Sequence, residues 1–179
     1  LKSSGVRAEW VQIGNEINPG MILPEGSSNN MANLSKLINS GYEAVKKADN
    51  ECKVVIHLSS GADNGLFRWF FDGLKNSNAK YDVIGMSYYP YWDGKKYIEN
   101  IDNLENNMRD MIERYGKEIM IVETGEKYNK PEECYDMLKE VISRVKKLPN
   151  NKGLGVMYWE PEGAADWSKY ELNCWGNDG

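Results

Sequence analysis

The sequence has little cysteine. Cys52, Cys134 and Cys174 are the only three in 179 residues, and no two form a C-x-x-C pair. So sparse and odd a set is neither a disulfide framework nor a zinc-ligand pattern. Free thiols are the expected state, with one pair and one cysteine left over as the alternative. An excess of basic charge is also missing. Lys plus Arg number 22 against 27 Asp plus Glu, for a net charge of −5. That balance argues against a dedicated nucleic-acid binder, which usually presents a basic face. No run reaches the roughly 18 apolar residues of a membrane span. Neither G-x-G-x-x-G nor G-x-x-x-x-G-K-[ST] occurs, so nucleotide binding has no support. Leu1-Lys2-Ser3-Ser4-Gly5 has no apolar stretch of the signal-peptide kind. The chain reads as opening in mid-fold.

What is present suits a folded α/β chain. Apolar residues make up 41% of it and aromatics 11%, too many for a disordered segment and enough to fill a core. The length suggests one domain over residues 1–179. Five short runs rich in β-branched or aromatic residues, at 10–13, 54–58, 83–86, 119–122 and 155–158, read as buried strands. Four helical patterns lie between them. The first, 31–48, carries Leu34, Leu37, Ile38, Tyr42 and Val45 at helical spacing. The second starts near Asn64 and carries Phe67, Phe70 and Phe71, with Trp69 read into the same core. The third spans 98–115, and the fourth opens at Pro131, a favoured first helical residue.

Strict alternation of buried strands and helices predicts a parallel sheet covered by helices. Right-handed crossovers leave an open doubly wound sheet or a (β/α)8 barrel. No glycine-rich turn marks a switch point, and the unit spacing is that of a barrel, whose eight units take ~250 residues. The fold class is read as α/β, a partial TIM (β/α)8 barrel. It has five strands and the four intervening helices, and it stops before the helix due after Tyr158.

In such folds the site lies at the carboxyl ends of the strands. Polar residues gather at all five ends: Gly14-Asn15-Glu16, His57 through Asp63-Asn64, Ser87-Tyr88-Tyr89-Pro90-Tyr91-Trp92, Glu123-Thr124-Gly125-Glu126, and Trp159-Glu160-Pro161. Two acids directly after strands, with aromatics beside them, predict a sugar site. Glycosidic cleavage needs a proton for the leaving oxygen and a carboxylate for the oxocarbenium-like centre. One carboxyl must be held protonated by its surroundings while the other is kept ionised by hydrogen bonds. Aromatic rings offer flat apolar faces to a pyranose. Glu16 and Glu123 are the candidates, and Glu126 is the rival to Glu123. The plainer readings are that Glu16 is an acid favoured by a helix dipole, and that a lone His57 is a satisfied core residue.

The blocks Glu9 to Met21 (EWVQIGNEINPGM), His57-Leu58, Asp63 to Asp72 (DNGLFRWFFD), Val83 to Trp92 (VIGMSYYPYW), Val122-Glu123-Thr124 and Tyr158-Trp159-Glu160-Pro161 together resemble glycoside hydrolase family 53, the arabinogalactan endo-β-1,4-galactanases. The resemblance covers almost the whole chain. It implies barrel strands 4–8, with strands 1–3 and the last helix missing. It makes Glu16 the general acid/base, Glu123 the nucleophile of a retaining mechanism, and Asn15 the partner of the sugar 2-hydroxyl. Tyr88 would hold the nucleophile by its hydroxyl, and Trp159 would floor the −1 subsite. Trp92, Asp63 and His57 match positions around the cleft. An arginine that the wider clan usually places near the nucleophile has no counterpart, and Gly125 stands where the family often has Ala. No cofactor is required. The family's long last loop binds calcium in some bacterial members, and Asp166, Asn173, Asn177 and Asp178 are oxygen-bearing candidates for such a structural ion.

The partner implied is a β-1,4-linked galactan, met outside the cytoplasm by the family's habit, extracellular or periplasmic. No nucleic acid and no membrane is expected. Two other readings stay open. One is a non-catalytic or weakly active remnant that keeps a partial cleft. The other is a barrel glycanase acting on mannan, xylan or cellulose. An open barrel exposes strand edges that invite pairing, so a homo-oligomer is expected.

Overall fold

A computed structural model describes residues 2 to 174. Strands and helices alternate: β1 (Trp10–Gln12), α1 (Met31–Ala48), β2 (Lys53–Leu58), α2 (Asn64–Asn76), β3 (Val83–Tyr88), α3 (Tyr97–Tyr115), β4 (Glu118–Thr124), α4 (Pro131–Lys146), β5 (Gly153–Val156) and the single turn α5 (Ala165–Ser168). The five strands form one sheet in the order β1-β2-β3-β4-β5. Val11 lies opposite Val54 and Ile121 opposite Val156, both in parallel register. β5 starts two residues before its apolar run. Parallel bonding continues past its end, with Met157 N–H on the Ile121 carbonyl at 2.8 Å and Trp159 N–H on the Thr124 carbonyl at 3.0 Å. The one-turn α5 occupies the segment in which no helix is expected from the sequence.

The chain divides into two compact units. One comprises the residues up to Ser59 with Gly65–Gly85, the other Ser60–Asn64 with the chain from Met86 onward. The first unit is built on β1, β2, α1 and α2. Every residue of β2 after Lys53 is buried, which is why its sequence shows no polar alternation. Phe71 gathers an aromatic cluster, with Phe67, Phe70 and Tyr81 ring centroids at 5.9, 5.6 and 5.4 Å. Trp69 meets this cluster only at its rim, edge-on to Phe70 with ring centroids 6.1 Å apart. It is 49% exposed, because two residues along a helix rotate it about 200° from Phe67. The Asp82 carboxylate accepts the Val54 N–H at 2.9 Å and pairs with Lys46 at 2.8 Å. It thereby fastens α1, β2 and the entry to β3.

In the second unit, α3 and α4 bury Ile101, Leu104, Met108, Met111, Met137, Val141 and Val145 around Ile119 and Ile121 of β4. A polar device inside that core fixes the loop before α2. Asn107 of α3 is fully buried. Its Nδ2 donates to the Gly61 carbonyl at 2.7 Å, and its Oδ1 accepts Asn64 Nδ2 at 3.0 Å. The Gly61 N–H donates to the Ser87 carbonyl at 2.8 Å. A Cβ at residue 61 would stand 2.8 Å from that same Ser87 oxygen, so only glycine allows the approach. Replacing Asn107 by Ala would leave the Gly61 carbonyl buried and unpaired. Asn107→Ala should therefore lower the unfolding free energy by about 2–3 kcal/mol, read as a drop in the urea midpoint. An unchanged midpoint would show that the loop is held by something else.

Candidate active site

In the first unit, the chain leaves β1 through two left-handed residues, Gly14 at φ +77 and Glu16 at φ +45. A Cβ on Gly14 would collide with the Ile17 side chain. For glutamate this conformation costs roughly 1–2 kcal/mol, so the surroundings must impose it. They do so through His57. The Ile17 N–H donates to the His57 carbonyl at 3.0 Å, and the Glu16 N–H points at His57 Nδ1 at 3.5 Å. The same Nδ1 lies 3.2 Å from Asn15 Oδ1, which also accepts from Gln12 Nε2 at 3.1 Å. As a bare ring nitrogen, Nδ1 accepts the Glu16 N–H. As an N–H it donates to Asn15. These are the two tautomers of the neutral ring. His57 is fully buried, and burial lowers its pKa to about 4. Asn15, Glu16 and His57 thus form one cluster, with Asn15 exposed and Glu16 half-buried. His57 combines the two readings of the sequence, being a buried histidine that also touches both candidate residues.

In the second unit, Glu123 is the penultimate residue of β4 and 9% exposed. The Tyr89 hydroxyl donates to Glu123 Oε2 at 3.3 Å. Burial first, then a hydrogen bond with Tyr170, raises the Tyr89 phenol above the ordinary tyrosine range, so it stays a proton donor. The expectation that Tyr88 holds this carboxylate is corrected. The Tyr88 hydroxyl donates instead to Asn100 Oδ1 at 2.8 Å and lies 3.3 Å from the Tyr97 carbonyl, both on α3. Successive strand residues face opposite sides, so Tyr88 and Tyr89 cannot share a task. All six residues of β3 are buried, and the sequence therefore carries no alternation from which the phase could be read.

Tyr88 serves a different neighbourhood. Asn100 passes the contact on, donating Nδ2 to Asp93 Oδ2 at 2.9 Å. Asp93, Asn100, Asp63 and Lys95 line a polar cavity of about 410 Å³. Asp63 belongs there, at the exposed start of α2. Trp92 is 64% exposed and meets Tyr91 edge-on, with ring centroids 4.7 Å apart. Trp159 is 45% exposed, and its backbone is bonded to Thr124, the neighbour of Glu123. Glu126 is buried, and its backbone N–H and carbonyl are both bound to the Tyr158 hydroxyl, at 3.3 and 3.2 Å. Its side chain accepts the Lys127 N–H at 2.8 Å. Of the calcium candidates, Asp166 is exposed and Asn173 is buried, while Asn177 and Asp178 lie outside the described residues. Among the described residues, no group of three His, Cys, Asp or Glu side chains could hold a metal ion, and no helix is long and apolar enough to cross a membrane.

Three comparisons bear on this arrangement. The family model described as glycosyl hydrolase family 53 matches residues 1–135 and 128–178. An uncharacterized protein from Niallia circulans is 33% identical over 99% of this chain and 56% of its own. An arabinogalactan endo-beta-1,4-galactanase from Humicola insolens is 27% identical over 88% of this chain and 53% of its own. The chain thus spans about half the length of the curated relatives it matches. A fungal beta-1,4-galactanase structure superposes with a TM-score of 0.80 at 26% identity, covering 89% of this chain and 54% of that one. Covering about half of that fold, the five parallel strands and their helices are a partial barrel.

The burial of His57 sets a pH dependence. Its folded pKa of about 4 lies below the unfolded value near 6.5. Between the two, the unfolded chain binds the extra proton. The contribution to stability is therefore complete above pH ~6.5, and it is lost as pH falls through the folded value, up to about 3 kcal/mol in all. His57 is the only histidine. Urea midpoints of wild type and His57→Gln should converge as pH falls from 7 toward 4. Parallel curves would mean the imidazole is not held neutral.

Proposed function

The chain belongs to glycosyl hydrolase family 53, and we propose that it hydrolyses β-1,4-galactan at internal linkages with retention of configuration. The observation that carries this reading is the Glu123 carboxylate at the end of a barrel-type strand, nearly buried and held by the Tyr89 hydroxyl. In the first step, Glu16 gives its proton to the glycosidic oxygen while the Glu123 carboxylate attacks the anomeric carbon. The leaving sugar departs as an alcohol, and a glycosyl ester remains on Glu123. In the second step, Glu16, now a carboxylate, takes a proton from water. The water oxygen then attacks the anomeric carbon and Glu123 leaves as carboxylate. The Tyr89 phenol orients one oxygen of Glu123. The cluster of His57, Asn15 and Glu16 supports the acid/base assignment, because it fixes the turn that carries Glu16. Asn15 would meet the sugar 2-hydroxyl, Trp159 and Trp92 would stack on pyranose faces, and Asp63 would meet sugar hydroxyls from its polar cavity. The chemistry requires no cofactor, and the substrate would be met outside the cell.

The test is reducing-sugar release from linear β-1,4-galactan, beside mannan, xylan and soluble cellulose. Release from galactan above the other three is expected. Glu16→Gln and Glu123→Gln should each lower it by at least about a hundredfold. Undiminished turnover in either variant would remove that residue from the mechanism. Release from another glycan would change the substrate, and none from a folded sample would favour a remnant.

The outer strands support a second element of the reading, self-association. β1 and β5 contain no fully buried residue, whereas β3 is buried throughout. Strand edges with free pairing capacity recruit further strands. Light scattering should give a mass above that of one chain, and a monomer at every concentration would overturn the expectation.

A further inference from the structure

Two of the three cysteines meet at one hydroxyl. The Tyr158 phenol, two residues past β5, lies 3.7 Å from Cys134 Sγ on the first turn of α4. The same phenol lowers the pKa of the Cys174 thiol against the larger effect of burial. The Tyr158 hydroxyl is also 3.4 Å from the carbonyl of Asn173, the residue before Cys174. Both cysteines sit on held backbone. The Cys134 N–H donates to the Lys130 carbonyl at 3.0 Å. Asn173 is 1% exposed, with its amide nitrogen on the Tyr170 carbonyl at 2.6 Å. Cys134 Sγ and the backbone just before Cys174 thus share one oxygen, and a disulfide would need side-chain rotation to bring the two sulfurs to ~2.05 Å. Cys174 is exposed and Cys134 half-buried, so a soluble oxidant can reach the first and the second can resolve it. Cys52 is buried within the first unit and takes no part.

We propose that Cys134 and Cys174 are an oxidation site, forming a reversible intramolecular disulfide that ties α4 to the segment after α5. With a small disulfide such as oxidised glutathione, the Cys174 thiolate attacks one of its sulfurs. One glutathione thiolate leaves, and a mixed disulfide remains on Cys174. The Cys134 thiolate then attacks Cys174 Sγ and expels the second glutathione. The two protein thiols are oxidised, the oxidant is reduced to two thiols, and the two thiol protons pass through solvent to those products. Burial holds both cysteines above the ordinary thiol range, with the Tyr158 hydrogen bond acting the other way. Exchange therefore quickens as pH rises, through a larger thiolate fraction. The bond would replace the contact of Cys134 with Tyr158, whose hydroxyl also holds both backbone groups of Glu126. The first turn of α4 would then be fastened covalently to the segment after α5.

The experiment uses the full chain equilibrated with a glutathione redox buffer at pH 8.5, trapped with acid, digested without reduction and mapped by mass spectrometry. A peptide joining Cys134 to Cys174 is expected, two hydrogens lighter than its parts. The melting temperature should rise by about 5–10 °C, and dithiothreitol should reverse both effects. Cys52→Ser should keep the cross-link, while Cys174→Ser, at an exposed position, should abolish it along with the shift in melting temperature. Glutathione left on separate cysteines, disulfides between chains, or a link that includes Cys52 would each overturn the proposal. No sugar substrate enters these readouts, so their result is independent of the assigned activity.

Discussion

Burial of the inner strands on both faces governs where chemistry can appear. β2 after its first residue and the whole of β3 are enclosed, and a polar side chain on them must find a partner inside. His57 is the case in point. It lies within β2, finds Asn15 and the Glu16 backbone, and stays neutral. Other polar groups are driven to the carboxyl ends of the strands, where the backbone leaves the sheet and water returns. The turn after β1 and the end of β4 carry the two glutamates for that reason.

Each glutamate is held by different means. Glu16 depends on its backbone, since a left-handed residue is kept in place by bonds to one buried imidazole and its carbonyl. Glu123 is held at its carboxylate by a phenol whose own burial prevents ionisation. The first arrangement fixes the turn that carries the Glu16 side chain. The second fixes one carboxylate oxygen through the Tyr89 hydroxyl. Gly125 completes the second arrangement. A Cβ there would stand 2.7 Å from the Leu172 carbonyl, so the segment after α5 lies close against this strand end at residue 125.

Much of the fold was legible because hydrophobic runs, helical spacing and a proline at the start of α4 all point the same way. The β-α alternation emerged with most boundaries within a few residues. Sequence reasoning failed where phase mattered. Trp69 sits in an aromatic run yet lies on the outer side of α2. Tyr88 and Tyr89 are adjacent and chemically identical, and only the pleat distinguishes the one facing Glu123 from the one facing Asn100. No pattern in a doubly buried strand records that choice. The Asn107 bonds to Gly61 and Asn64, and the meeting of Cys134 and Cys174 at Tyr158, join residues far apart in sequence and leave no local signature.

The depressed pKa of the only imidazole has a consequence for the chain as a whole. Ordinary carboxyl groups finish titrating below pH 6, and lysines begin well above pH 8. The three thiols are all held above their usual range by burial. With His57 already neutral, the one imidazole adds no charge step across the neutral region, where the formal charge is −5. Electrophoretic mobility and long-range attraction to charged surfaces should then barely change between pH 6 and 8.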